Sequence, residues 1–362
     1  MRALICLVLL FSLLAAGCAT TQVSTSNDKP AVLKLRFDGA ENDAANDALV
    51  WPAEPEMPRY RYVGQLLGEQ NFPIQKTSFL RRAFAWVVGL GSNKAQAVVL
   101  QRPQSGFVDD EGRVYVTDVS RAAVYVFDAK QTAPLVWEMA GQNTRFVTPV
   151  GITAGKNGEI LVADAELGEV IRLNREGEPA GSIAVEGLQR PTGLARDAQQ
   201  GVIYVADTQR HQVFMLNDDG SVIKVLGEHG ELQGQFNRPT HLTFAGGLLY
   251  VSDALNSRIQ VFDRAGNWLR SVGKRGLFVG DLPRPKGVGV DSRGNVYVVE
   301  SYYDYLLVFN DKGEFLLPIG GTGRAIGQFY LPAGVWLDKN DRIYVADTFN
   351  GRIVIFQYLG ET

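Results

Sequence analysis

Ile343-Tyr344-Val345-Ala346-Asp347 has five earlier counterparts: Val114-Tyr-Val-Thr-Asp118, Ile160-Leu-Val-Ala-Asp164, Ile203-Tyr-Val-Ala-Asp207, Leu249-Tyr-Val-Ser-Asp253 and Val296-Tyr-Val-Val-Glu300. Successive acidic residues stand 46, 43, 46, 47 and 47 positions apart. Each follows a proline (Pro103, Pro149, Pro191, Pro239, Pro285 or Pro332) by 14 to 16 residues, with an apolar strand and a glycine turn between. Short runs rich in β-branched and aromatic residues, punctuated by Gly, Asp and Asn, read as strands. Repetition at this period marks a propeller, whose small sheets stack because none buries its apolar faces alone.

The fourth repeat shows the layout. His241 to Phe244 form the inner strand a, Gly246-Gly247 a turn, Leu249 to Ser252 strand b, Ile259 to Phe262 strand c and Trp268 to Val272 strand d. The sixth repeat stops after strand c, Ile353 to Phe356, with six residues left. Tyr60-Arg-Tyr-Val-Gly64 matches the d-strand pattern Trp268-Leu-Arg-Ser-Val-Gly273. An N-terminal strand therefore completes the last blade, which removes two open sheet edges. The expected fold is all-β: a six-bladed β-propeller over 58–358, with four-stranded antiparallel blades. One insertion, 69–102, departs from the repeat. Within it Phe79, Leu80, Ala83, Phe84, Val87 and Val88 fall at helical spacing and predict a short helix over 78–88, capped by Thr77 or Ser78. Packing on the ring, lying on a membrane beside Trp86, or touching a partner are the roles open to it.

Three motifs resemble the NHL-repeat family over roughly 58–358. They are Pro-x-Gly-Val before strand a, Tyr-Val-Ala-Asp-Thr in strand b, and Asn-x-Arg-Ile before strand c, seen as Asn256-Ser257-Arg258-Ile259 and Asn350-Gly351-Arg352-Ile353. A Gly-Gln-Phe linker precedes two of the prolines, as Gly234-Gln235-Phe236 and Gly327-Gln328-Phe329. Repeats one, two and five lack the Asn-x-Arg element. The resemblance implies the propeller and, commonly in such domains, binding of another macromolecule.

The first residues read as a secretion signal, 1–17: Arg2, the apolar run Ala3 to Leu14, then Ala15-Ala16-Gly17 before Cys18. That run is short for a membrane span. The small residues before Cys18 resemble the lipobox of bacterial lipoproteins, which implies lipidation of Cys18. Ala19 in place of aspartate implies sorting to the outer membrane, facing either the periplasm or the outside. Residues 18–57, rich in Ala, Thr, Ser, Asn, Asp and Pro, read as a flexible tether. With Cys6 in the signal and Cys18 lipidated, no thiol remains for a disulfide, metal or nucleophile. A net charge of −3 argues against a nucleic-acid partner. No Gly-x-Ser-x-Gly elbow and no phosphate-binding glycine loop occurs, so no cofactor is expected.

In such a blade the b–c loops and d–a connections emerge on one face, and the short a–b and c–d turns on the other. Binding belongs to the longer, more varied set. Candidates there are His211, His241, Trp336, Phe349 and the fifth repeat's Tyr302, Tyr303 and Tyr305, whose rings suit a protein, peptide or glycan. His241 stands where other repeats carry glycine, or Ser105 in the first. The six recurring acids are expected to fix loops by accepting hydrogen bonds. Propeller lactonases and lyases place metal ligands on inner strands. Here those positions are mostly Gly, Val, Ile, Leu, Thr and Ala, with Asp109, His241 and Trp336 as exceptions. The reading is thus a non-enzymatic, membrane-anchored module binding a protein of the cell envelope, with a metal-dependent propeller enzyme or a glycan- or peptide-binding protein as the alternative.

Overall fold

Residues that alternate apolar side chains to both faces of a sheet must bury both, and the chain does so by stacking blades radially. The computed structural model describes residues 49–53, 55–73 and 97–360. These form six antiparallel sheets, five of four strands and one of five. In blade four the strands are Pro239–Ala245, Leu248–Asp253, Arg258–Phe262 and Trp268–Val272, in spatial order a-b-c-d. The other blades repeat this order from the channel outward. Strand b is buried along its length in every blade, save for its half-buried first residue in blades four and six, whereas outer strands such as Val222–Leu226 expose most residues. Between blades three and four, Tyr204, Met215 and Phe236 pack against Leu249 and Phe262, and equivalent clusters fill the other seams.

Blade six is assembled from both ends of the described chain. Its strands Val335–Leu337, Arg342–Asp347 and Arg352–Tyr358 are followed in space by Tyr60–Leu66, which runs antiparallel to the last, with Tyr60 opposite Tyr358 and Leu66 opposite Ile353. Val50–Trp51 then pairs outside Tyr60–Leu66 as a fifth strand. Trp51 sets its ring edge-on to Phe356 at 5.3 Å, so the ordered domain extends N-terminal to residue 58, into the segment read as tether. A strand of two residues carries too little periodic signal to be seen in the sequence.

Closure is secured by contacts of great sequence separation. Tyr60 and Tyr297 share a hydrogen bond of 3.2 Å, and Tyr297 donates to Asp291 at 2.9 Å. Thr348 Oγ1 donates to the carbonyl of Pro103 at 2.8 Å, joining blade six to blade one. Leu66, Tyr344 and Ile355 share a core with Val116, Tyr125 and Phe127.

The described ends of the insertion form a 3-10 turn, Glu69–Asn71, held by Asn71. Its Oδ1 accepts the N–H of Leu67 at 2.7 Å, and its Nδ2 donates to the carbonyl of Gln65 at 2.7 Å. The helix expected over 78–88 lies outside the described residues, as do the signal, Cys18 and most of the tether.

Strand Tyr60–Leu66 buries Tyr60, Tyr62 and Leu66, each worth roughly 1.5–3 kcal/mol on burial. Deleting 58–68 should therefore lower the melting temperature of the whole ring in one cooperative transition. A truncated protein that melts like the parent overturns this closure.

Candidate functional site

The six acids come first because they hold the loop face in place. Asp118, Asp164, Asp207, Asp253, Glu300 and Asp347 are all buried. Asp118 Oδ2 accepts the N–H groups of Gln101 and Arg102 (2.6 and 2.9 Å), and Oδ1 those of Ser120 and Arg121 (3.0 and 3.1 Å). Asp164 and Asp207 repeat the pattern, each tying the linker before its blade to its own b–c loop. In blades four and six the loop N–H donors give way to side chains. Asp253 accepts from Asn256 Nδ2 (2.9 Å) and Arg258 Nε (2.8 Å), and Asp347 from Asn350 Nδ2 (2.8 Å) and Arg352 Nε (2.7 Å). Burial pushes the Asp347 and Glu300 carboxyls up, opposed at Asp347 by the Tyr330 N–H, Asn350 and Arg352, and at Glu300 by the N–H groups of Tyr303, Tyr302 and Arg284. The acids serve the loops. Asp109 likewise sits in an a–b turn on the opposite face and accepts from Arg113 Nε at 2.7 Å.

On this scaffold the candidates separate into three places. Tyr302 and Tyr303 stand edge-to-face at 4.7 Å on the loop of blade five, with Tyr302 exposed. Phe349, also exposed, meets Tyr330 at 5.6 Å, and the Arg102 guanidinium lies 4.8 Å above its ring. No ring contact joins these two pairs among the described residues. Tyr305 leaves the patch: as the first residue of strand c it turns into the blade and packs on the core with Val261 and Leu307.

His211 and His229 meet at 4.4 Å between ring centres, and His211 Nδ1 accepts the N–H of Arg238 at 3.1 Å. That bond needs a neutral ring, and burial together with the neighbouring His229 lowers the His211 pKa. His241 lies apart from them, in the channel. Among the described residues no group of three or more His, Cys, Asp or Glu could hold a metal ion.

The apolar loop Lys274-Arg275-Gly276-Leu277-Phe278-Val279, which joins blades four and five, was missed in the sequence. Leu277 is 73% and Phe278 83% exposed. The loop is fixed at its base: buried Asp281 accepts the N–H of Phe278 at 2.9 Å, and Arg275 donates to the carbonyl of Leu255 at 2.8 Å. Three apolar residues between glycines, outside any strand period, were the available signal. With Leu255, Tyr302, Tyr330 and Phe349 they give blades four to six a face of exposed apolar side chains. Exposed Lys274, Arg275, Arg284 and Arg102 lie among them.

His241 and Trp336 both border a cavity of about 230 Å³ on the ring axis, lined by the inner strands of all six blades. Trp336 is buried and stacks on Tyr344 at 5.8 Å. His241 replaces glycines whose lack of a side chain is required. A Cβ on Gly193 would stand 2.5 Å from the carbonyl of Thr240, and one on Gly287 2.5 Å from the nitrogen of Val335. Enclosure within the ring lowers the His241 pKa to about 3, with the Lys286 charge adding to the effect.

A family model described as NHL repeat matches residues 188–215, and one described as 6-bladed beta-propeller matches 288–361. No curated protein matches the chain. Virginiamycin B lyase from Staphylococcus aureus is similar in structure at 14% identity, with a TM-score of 0.52 over 72% of this chain and 96% of the lyase. An auxiliary nutrient binding protein from Bacteroides ovatus is similar at 14% identity, TM-score 0.56, over 71% of this chain and 69% of that one. A luciferin-regenerating enzyme is similar at 15% identity, TM-score 0.54, over 72% and 92%. At such identities the likeness is one of fold. The chain is an all-β, six-bladed propeller, with a match to the NHL repeat in its third blade.

The folded pKa of His241 lies below its ordinary 6.5. Stability linked to its neutral form is complete above pH 6.5 and is lost as pH falls from there toward 3. The variant His241→Gly should accordingly lose less melting temperature than the parent between pH 6.5 and 4.5. Parallel curves of melting temperature against pH would refute the buried neutral ring.

Proposed function

We propose that the protein is a non-enzymatic binding module of a bacterial cell envelope, which docks a protein partner through the loop face of blades four to six. The observation that carries this reading is the uneven distribution of large exposed apolar side chains. Leu255, Leu277, Phe278, Tyr302, Tyr330 and Phe349 all rise from b–c loops or d–a connections, whereas on the opposite face the described a–b turns present none and Met57 and Leu359 stand beside the c–d end of blade six. Such patches mark interaction sites, and aromatic anchors beside arginine are the usual centres of binding energy. A glycan is the competing ligand, and the Tyr302 and Tyr303 rings would suit it. Leucine and phenylalanine, however, have no polar atom for sugar hydroxyls, and they make up much of this face. A protein with an apolar and acidic surface fits both the side chains and the flanking cations.

The same proposal places the domain at the outer membrane, held by lipid on Cys18. Support comes from Arg2, the apolar run from Ala3 and the small residues before the cysteine. At about 0.8 kcal/mol per buried CH₂, two or more acyl chains give stable anchoring. No helix of the described residues is long and apolar enough to cross a membrane.

Cross-linking and capture from a cell-envelope extract tests the docking face. Combined Phe278→Ser, Tyr302→Ala and Phe349→Ala should reduce recovery of partner tenfold or more, since each central anchor contributes about 2 kcal/mol, without changing the melting temperature. Equal recovery by variant and parent overturns the assignment. Separately, Cys18→Ala should move the protein from the membrane pellet to the soluble fraction; continued sedimentation with membranes refutes the lipid anchor.

A further inference from the structure

The axial channel contains polar groups that neither the fold nor the docking face uses. His241 Nε2 and Trp336 Nε1 are both buried and without a hydrogen-bond partner, and both residues line the same 230 Å³ cavity. Leaving a buried polar group unpaired costs about 1–3 kcal/mol, a burden the ring would shed by placing glycine at 241 as it does at 151, 193, 287 and 334. His241 Nδ1 lies 3.2 Å from Thr240 Oγ1. This bond can run in either direction; when the threonine hydroxyl donates to Nδ1, the ring proton sits on Nε2 and both orphaned atoms are N–H donors that need an acceptor.

Near this end of the channel the cations Lys286, Arg284 and Arg102 outnumber the one carboxylate that opposes them, Asp304. Lys286 follows Pro285 at the start of the neighbouring inner strand, just outside the residues that line the cavity, and its ammonium acts on His241 through its charge. Among the described residues it makes no hydrogen bond or ion pair. Burial lowers its pKa first, and the charges of Arg284 and Arg102 lower it further. Asp304 is the opposing carboxylate, and it already accepts the N–H of Leu331 at 2.8 Å. Ile152, Leu194, Val288 and Val335 are among the side chains that line the cavity with His241, although more of the exposed wall is polar than apolar.

We propose that this channel binds a small monocarboxylate with a short apolar tail, entering from the loop face, with Lys286, His241 Nε2 and Trp336 Nε1 as the recognising groups. A carboxylate brings one charge and acceptor oxygens only, which matches one unpaired cation and two N–H donors. A phosphate dianion would leave a charge uncompensated, and a cation would be repelled. The tail lies against the side chains of Ile152, Leu194, Val288 and Val335, and the cavity volume limits it to a few carbons. This site is independent of the docking face: the partner-capture variants touch none of its residues.

The test uses the intact domain with acetate, butyrate and hexanoate, compared with acetamide, butyramide and hexanamide. Nitrogen-15 spectra follow the Trp336 indole, identified with Trp336→Phe, and the His241 ring. Butyrate or hexanoate should shift both signals saturably, and the amides should bind at least tenfold more weakly. Lys286→Met and His241→Gly, the latter restoring the residue used by other blades, should each weaken carboxylate binding tenfold or more. If no carboxylate moves either signal, if amides bind as well, or if both variants bind like the parent, the channel holds water alone and the proposal is wrong.

Discussion

One buried carboxylate per blade carries the organisation of the loop face. A charge placed where Asp118 or Asp207 lies would be strongly destabilising unless every lone pair found a donor. The donors come from two separate stretches of chain: the linker some 16 or 17 residues earlier and the loop two or three residues later. Each acid therefore locks an incoming connection to an outgoing loop. This makes the loop face rigid without using loop side chains, which remain free to vary. Where the loop tightens into a 3-10 turn, as at Ala254–Asn256 and Thr348–Asn350, the backbone donors are replaced by Asn and Arg side chains.

That substitution explains why two motifs travel together. Arg258 bonds its acid through Nε and spends Nη2 on the carbonyls of Leu232 and Gln235. Arg352 does the same with Ala325 and Gln328. The Asn-x-Arg element and the Gly-Gln-Phe linker are thus two halves of one hydrogen-bonded unit, and the linker phenylalanines, Phe236 and Phe329, are buried between blades. Blade three, with His211 in this position, uses the ring as an acceptor for Arg238 instead.

The repeat and the closing strand were legible because alternation, turn residues and spacing all recur, so each blade tests the reading of the others. Elements that occur once were not. Val50–Trp51 is ordered by Trp51 against Phe356 rather than by its own pattern. Tyr305 shows the opposite case: the cluster of tyrosines suggested a patch, yet as the first residue of strand Tyr305–Phe309 its half-buried ring packs against the blade core. The Leu277–Val279 tip lacks strand or helix period, and its exposure follows from a glycine-bounded loop pinned by Asp281, a contact no spacing rule reveals.

His241 offers a sharper criterion than exposure or aromatic content. At the top of the inner strands the backbones of adjacent blades approach so closely that glycine is the residue of least strain, as the surroundings of Gly193 and Gly287 demonstrate. Blade one relaxes the rule with Ser105, and blade four breaks it with the bulkiest departure. A residue that contradicts a local steric requirement, leaves a ring nitrogen unpaired and stands near the Lys286 ammonium reduces stability on three counts. Sequences tend to retain such departures where function compensates for them. The channel is therefore where the requirements of folding and the residues present diverge most, and the loop face is where folding imposes least.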